Sequence, residues 1–407
     1  MTEKSQRAVR KKKRKNAGSG YYDYSLLSVV IILITFGLIM LYSASSYEAT
    51  YSIGNDMYYF RHQAIITLGA VAFGLFISTR NYRTFIRLAP LFYVLALLLM
   101  LAVQTPLGYT AGGARRWINL GFATFQPAEV AKIAVILFMP YAILRMGRNV
   151  ATFKGVLTLL LLGGIQAAAA WKLTENLSTA IIIFGIVVVV TFLSHPKTLP
   201  WLVLIAGLTI IVLLFLYYLK NNLTNSENFR IRRILAWLQP ENSDLTEADQ
   251  LLEGLYAIGS GGFFGKGLGN STQKLSAIPE AQNDMIFSII CEELGLFGAI
   301  IVLVLFAYLL YRLFFIARNA KDLYGTLMVS GIFSHVAIQV IGNVSVVLGI
   351  IPTTGITLPF VSFGGTSVIF LMFEIGLALS ASRFIPFEGE EHAGAEGKKH
   401  GRAIPEQ

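Results

Sequence analysis

Apolar residues run in long uninterrupted blocks along most of the chain, separated by short polar breaks. The blocks fall near 26–42, 62–78, 88–104, 128–145, 156–171, 178–194, 199–219, 285–310, 322–348 and 363–383. Each can supply a helix of roughly 17–25 residues, the length needed to cross about 30 Å of hydrocarbon. Unpaired backbone groups are costly in lipid, so isolated blocks of this length predict helices. The pattern predicts an all-α polytopic membrane protein with about ten transmembrane helices and a large loop before the eighth. Only between 156 and 194 is the boundary soft, where Lys172, Glu175 and Asn176 interrupt the apolar character briefly.

Composition agrees with that class. The 407 residues are 55% hydrophobic and 14% charged, against about 25% charged in a typical soluble domain. Mean hydropathy is +0.63. The single Cys291 excludes an intrachain disulfide framework and a cysteine-rich metal site, and its apolar surroundings predict a small buried hydrophobe. A net charge of +10 raises nucleic-acid binding, but its distribution argues against it. Lys11, Lys12, Lys13, Arg14 and Lys15 sit in a basic tail, 1–20, before the first block. A basic segment beside a span is a cytoplasmic topology signal that also meets anionic lipid. The first block is long enough to span and lacks a small-residue cleavage site, so no cleavable signal peptide is expected.

The charge bias orients the chain. With the N-terminus inside, the inner segments hold Arg80, Arg83 and Arg87, then Arg145, Arg148 and Lys154, then Lys197, then Arg312, Arg318 and Lys321. Arg383, Lys398 and Lys399 follow in the C-terminal region, with 386–407 as a second cytoplasmic tail. Every inner segment is basic, as the positive-inside rule expects. Arg115 and Arg116 form the main outer cluster, a placement that a functional role would explain. Both termini are then cytoplasmic, and 220–284 is a large extracytoplasmic loop within a membrane domain covering 21–385.

That loop is about 65 residues long, beyond ordinary connections, and its sequence predicts local order. In FRIRRILAWLQP the apolar Phe229, Ile231, Ile234, Leu235 and Leu238 interleave with Arg230, Arg232 and Arg233, and Pro240 ends the run. Trp237 suits an interfacial amphipathic helix, with a plain solvated helix as the alternative. A second helix is expected over Glu247–Ile258. Gly259, Gly261, Gly262, Gly265, Gly267 and Gly269 come next, with Lys266 followed by Gly267 rather than Ser or Thr. This fails the P-loop pattern, and the dinucleotide-binding fingerprint lacks its strand–helix context. The glycines instead predict a re-entrant or substrate-covering loop, or simple structural turns.

The candidate chemistry concentrates at the membrane edge. Asp284 follows Pro279, Glu280 and Asn283 and precedes MIFSII, so an acid stands where an aqueous segment enters a span. It can meet water and a lipid-borne substrate together; capping the helix is the alternative role. Glu292 and Glu293 lie about two turns further on, and adjacent acids in an apolar helix require polar partners inside the bundle. Glu129 and Lys132 share one helix face and can form an ion pair. Arg115, Arg116 and Trp117 stand before that span; arginine suits phosphate, and topology or headgroup contact is the alternative. His335, Gln339 and Asn343 recur every four residues, marking one polar face turned toward the bundle interior. A lone histidine is poor support for a metal site, so interhelical hydrogen bonding is expected. Glu374 is a further buried acid.

The segments GGARRWINLG with FQPAEVAK, AIGSGGFFGKGLGNSTQKL, IPEAQNDMIFSIICEELG and IPTTGITLPFVSFGGTS occur in that order. Through them the chain resembles the SEDS family of polytopic peptidoglycan glycosyltransferases, and its PEAQNDMIFSIICEELG and TGITLPFVSFGG wording is most similar to the cell-division branch. A sporulation paralogue is similar too, and elongation is the remaining alternative. The resemblance implies a ten-helix fold, a lipid II substrate, a class B penicillin-binding transpeptidase partner and further divisome partners. It implies an essential extracytoplasmic aspartate at Asp284, a charged pair at Glu129 and Lys132, and an arginine region at Arg115 and Arg116. Many relatives carry a Pro-Asp-Leu-Gly-Thr-like motif where this chain has TENLSTA; Leu177 and Thr179 persist, but Glu175 and Asn176 replace the proline–acid pair, so neither is assigned a catalytic role.

The expected reaction transfers the glycan of one lipid II to the sugar hydroxyl of another, releasing undecaprenyl diphosphate at the plasma membrane, in septal wall synthesis. Asp284 is the expected base, and Arg115, Arg116 or Lys132 would stabilise the departing diphosphate. A divalent cation, Mg or Mn, could assist; no organic cofactor is expected. A lipid II transporter and a non-catalytic scaffold that recruits a transpeptidase are the competing functions.

Overall fold

A computed structural model describes residues 21–111, 114–119, 124–222, 229–240, 246–275 and 281–385. The tails expected at 1–20 and 386–407 lie outside the described residues, as do Pro279 and Glu280. The chain forms α1 (Tyr24–Ile53), α2 (Tyr58–Thr79), α3 (Thr84–Ala102), α4 (Pro127–Met146), α5 (Phe153–Leu173), α6 (Leu177–Ser194) and α7 (Leu199–Asn222). Two shorter helices follow, α8 (Phe229–Leu238) and α9 (Thr246–Gly261), and then α10 (Ile286–Asn319), α11 (Leu323–Val347) and α12 (Ser367–Ser382).

Every apolar block therefore coincides with a helix. Among the described residues, 9 helices are long and apolar enough to cross a membrane. The block at 363–383 yields the shorter α12, of 16 residues, because IPTTGITLPFVSFGGTS stays irregular up to its start. Both helices expected in the long loop are present as α8 and α9. Three features differ from expectation. The first block continues to Ile53, and the eighth to Asn319, so both helices extend beyond the apolar run. The eighth block is not one straight rod either, since Gly295 adopts φ 68°, ψ −169° inside α10. The fold is also not wholly helical. Gly108–Ala111, Ala114–Asn119 and Thr124–Phe125 form a three-stranded antiparallel sheet, β1-β2-β3, between α3 and α4. Its strands are too short and glycine-broken to show strand alternation.

Burial ranks the helices. In their most apolar stretches α11 is 72% and α4 67% buried, against 6% for α7. The first two are the centre of the bundle, and α7 stands at its edge.

Polar contacts sort the connections into two ends, as alternating spans require. At one end Asp23 caps α1 and takes Arg312 at 2.7 Å. There too, Arg83 and the Tyr82 hydroxyl donate to Asp322 at 2.7 and 2.8 Å, and Arg383 donates to the carbonyls of Ser78 and Thr79. These residues come from four segments that the charge bias assigns to the inner side. The opposite end gathers the sheet, the start of α6, the start of α10 and the segment before α12.

Candidate functional site

Asp284 lies in the turn before α10, whose N-cap is Met285 without a side-chain cap bond. The aspartate stands one residue before that N-cap position. It is half-buried. Two groups fix its surroundings. Asn343 Nδ2 donates to the Asp284 carbonyl and to the Ile356 carbonyl, each at 2.7 Å. Gly355 presents bare backbone to the carboxylate: a Cβ built there would stand 3.7 Å from Asp284 Oδ2. Gly355 has φ +58°, where glycine is the unstrained choice. The carboxylate thus faces the 350–366 segment, itself tied down at several points. Gln282 O accepts the Phe363 amide at 2.9 Å, Ser178 Oγ donates to Thr354 O at 3.0 Å, and Gln63 Oε1 accepts the Gly365 amide at 3.1 Å.

The polar face of α11 continues beyond Asn343. Gln339 Nε2 donates to Thr357 Oγ1 at 3.3 Å, and His335 Nδ1 meets Glu374 Oε2 at 2.8 Å. Only the His335–Glu374 contact joins two helices, as expected; Gln339 and Asn343 instead bond the irregular segments at 356–357 and at Asp284.

Arg115 and Arg116 lie on β2. The Arg115 amide donates to Glu175 Oε2 at 3.1 Å, and its guanidinium donates to Thr105 O at 2.6 Å. Glu175, with φ 50°, precedes Asn176, whose side chain caps α6 by accepting the Thr179 amide at 3.0 Å. Ser178, in the first turn of α6, holds Thr354 beside Gly355. A short chain of contacts thus places β2 and Asp284 at the same end: Arg115 to Glu175, then Ser178 to Thr354, then Gly355 to the carboxylate. Glu175 gives no signal in the sequence beyond its departure from the family pattern; its part is to anchor the arginine strand.

Glu129 and Lys132 form the expected pair, with Nζ–Oε1 at 2.9 Å and the lysine side chain 2% exposed. The ammonium is directed at its own helix neighbour inside the bundle.

Glu292 and Glu293 have partners that sequence reasoning missed. Lys266 Nζ reaches Glu292 Oε1 at 2.6 Å and Lys274 Nζ reaches Glu293 Oε1 at 2.7 Å. Ser271 and Thr272 hydroxyls also donate to Glu292, and Ser43 donates to Glu293 at 2.7 Å. Two adjacent acids in an apolar helix are themselves the signal, because they require cations, and Lys266 and Lys274 flank the preceding loop. That loop enters the break in α10. The Lys266 and Gly267 amides donate to Glu292 O and Glu293 O, while the Leu296 and Phe297 amides donate to Gly262 O and Phe263 O, all at 2.9–3.0 Å. Backbone groups released at Gly295 are satisfied in this way, as broken helices inside a membrane require. A Cβ at Gly265 would overlap Glu293 O, and one at Gly295 would overlap Gly265 N. Gly261, Gly265 and Gly295 thus permit close backbone approach between the loop and α10, whereas a Cβ at Gly259, Gly262 or Gly269 would meet nothing within 4 Å. Trp237, expected at the lipid interface, donates its indole N–H to Gly349 O at 2.7 Å, so α8 is fastened to the corner after α11. Cys291 is buried.

Among the described residues no group of three or more His, Cys, Asp or Glu comes together.

Comparison with known proteins identifies the family. The family described as "Cell cycle protein", FtsW/RodA/SpoVE, matches residues 24–385. Stage V sporulation protein E of Bacillus subtilis is 36% identical over 365 residues, covering 89% of this chain and 97% of that protein. The probable peptidoglycan glycosyltransferase FtsW of Geobacter metallireducens is 35% identical, covering 89% of this chain and 94% of the relative. Among solved structures, a chain from a peptidoglycan synthase complex that coordinates polymerization and crosslinking superposes with a TM-score of 0.73 at 29% identity, covering 89% of this chain and 98% of the other. The rod shape determining protein RodA of Thermus thermophilus superposes with a TM-score of 0.63 at 26% identity, covering 90% and 98%. The chain belongs to the FtsW/RodA/SpoVE family.

Proposed function

We propose that Asp284 is the general base with which this chain polymerises lipid II. The enzyme class follows from the family: the chain is a peptidoglycan glycosyltransferase and a multi-pass membrane protein of the plasma membrane. One observation supports the residue assignment. Asp284 is a half-buried carboxylate outside its helix, its backbone clamped by Asn343 and its Oδ2 close to a glycine that leaves room. A base must lie within hydrogen-bond reach of the proton it removes, and bound geometry depends on such clamping.

In the proposed step the acceptor 4-hydroxyl oxygen attacks the anomeric carbon of the donor sugar. The new C–O bond forms as the bond from that carbon to the diphosphate breaks, and the hydroxyl proton passes to Asp284. Undecaprenyl diphosphate leaves with the bonding electron pair. Arg115 and Arg116, on the strand at the same end, would receive its charge. Lys132 contributes indirectly, through its pair with Glu129. A divalent cation, Mg or Mn, would supply further neutralisation of the charge on the leaving group.

Residues 220–284 are assigned to the extracytoplasmic side and both termini to the cytoplasm, on the charge bias. A septal role, a class B penicillin-binding transpeptidase partner and other divisome partners are supported by relatives named FtsW and by the solved complex that couples polymerization to crosslinking. A lipid II transporter and a non-catalytic scaffold are the competing readings, and the polymerisation assay separates them from an enzyme. Purified wild type and Asp284→Asn, each with and without the transpeptidase, should be compared on lipid II. The reading requires polymer from wild type and none from the variant in either arm.

A further inference from the structure

Arg87 and Arg145 were accounted for above only as topology charges, yet they share a cavity. It has a volume of about 430 Å³ and is lined by Ile86, Arg87, Tyr141, Leu144 and Arg145. Arg87 lies in the first turns of α3 and Arg145 in the last turn of α4, so the cavity opens at the end assigned to the inner side. Arg145 Cζ stands 5.4 Å from the Tyr141 ring centroid, which holds the guanidinium in place. We propose that this cavity binds the phosphate of an anionic phospholipid from the inner leaflet.

Among the described residues, the helices around the cavity supply no acid to offset this charge. No Asp or Glu occurs between Asp56 and Glu129, or between Glu129 and Glu175, so α2, α3, α5 and the end of α4 carry no acid near it. The carboxylate nearest along α3 is Asp322, reached from Arg83 one turn earlier, and it is occupied by Arg83 and Tyr82. No ion pair involves Arg87 or Arg145 among the described residues. Two exposed arginines lining one cavity, each with a forked guanidinium, suit the oxygens of a phosphodiester. Ile86 and Leu144 form an apolar wall, with Leu144 42% exposed on the outer surface of the bundle. A free anion would leave that wall wet, whereas an acyl chain would cover it. A phosphoglycerol headgroup with the start of one chain fits both halves, and an anionic leaflet supplies it.

Native mass spectrometry on the delipidated full-length protein tests this, using dioleoylphosphatidylglycerol, dioleoylphosphatidylcholine and inorganic phosphate as probes. The Arg87→Gln/Arg145→Gln variant should bind the glycerol lipid roughly 30-fold more weakly than wild type, from about 1 kcal/mol per arginine at a membrane surface. Arg80→Gln, a control at the same end whose guanidinium stacks on Phe76, should bind as wild type does. An Arg87→Lys/Arg145→Lys variant, which keeps the charge, should fall between and serves if the glutamine variant does not fold. Equal binding by wild type and both double variants would overturn the site. Equal loss in Arg80→Gln would reduce it to general electrostatics. Displacement of the lipid by millimolar inorganic phosphate would assign the cavity to free anions, and equal affinity for the choline lipid would remove the charge argument.

Discussion

Two loops meet the Asp284 end of this bundle, and they are held in opposite ways. The glycine-rich loop after α9 is locked by charge: Lys266 to Glu292 and Lys274 to Glu293, with both carboxylates fully buried. The 350–366 segment is held by neutral groups, Asn343, Gln339, Ser178 and Gln63. Breaking a buried ion pair leaves a charge without a partner and is strongly destabilising, whereas a neutral hydrogen bond contributes about 0.5–1.5 kcal/mol. The first loop is thus a fixed part of the scaffold that repairs the break at Gly295. The second, which faces the Asp284 carboxylate, can be released bond by bond, as a segment that admits a bulky substrate must be.

The difference can be broken most forcefully at Glu293. Glu293→Ala strands Lys274, whose side chain is 5% exposed, and should cost about 3–5 kcal/mol. A thermal melt in detergent should show it, and Glu293→Met with Lys274→Met should recover most of the loss. A single variant as stable as wild type would remove the distinction between the loops.

Asn343→Ala comes next. It deletes both bonds that join Asp284 to the facing segment, with an expected cost of about 1–3 kcal/mol. Because the clamp positions the base, kcat for polymerisation should fall roughly 10–100-fold with little change in KM. Asn343→Asp keeps the shape but sets an acceptor against two carbonyls, so it should be worse than alanine. The reverse order would show that packing, not donation, is what Asn343 supplies.

The smallest effect belongs to the inner end. Burial pushes the Asp322 carboxyl up, but donation from the Gly325 amide, the Tyr82 hydroxyl and Arg83 outweighs it, so the group titrates below its ordinary value. A depressed folded value means this contribution is present above the unfolded value, about 4, and is lost as pH falls through the lower folded value. Asp322→Asn should therefore lower stability at neutral pH and flatten the acid limb of a stability–pH profile. An unchanged profile would show the group does not couple to folding. Burial and Asp322 together also push the Tyr82 phenol up to about 12, outside that range.

How far the sequence could be read follows the same physics. Spans were readable because lipid imposes length and hydrophobicity on each separately, and every block became a helix. The Glu129–Lys132 pair and the α11 polar face were readable because helical periodicity places them. Contacts set by tertiary approach were not. Lys266 and Lys274 pair with acids 26 and 19 residues away, and only the cost of two adjacent buried glutamates hinted at them. The sheet at 108–125 was hidden by its short strands, and Glu175 by a partner 60 residues away. Asp284 itself was readable from its position between a polar loop and an apolar run; the clamp that makes it a candidate base was not.

Single-turnover polymerisation of lipid II by purified, partner-bound Asp284→Asn measures the central claim most directly. Asparagine keeps the size of the side chain and leaves the backbone carbonyl free to accept from Asn343, so the protein should fold, melt and bind the transpeptidase as wild type does. It should yield no glycan polymer. Polymer at a rate near that of wild type from the folded variant would contradict the assignment of Asp284 as the base.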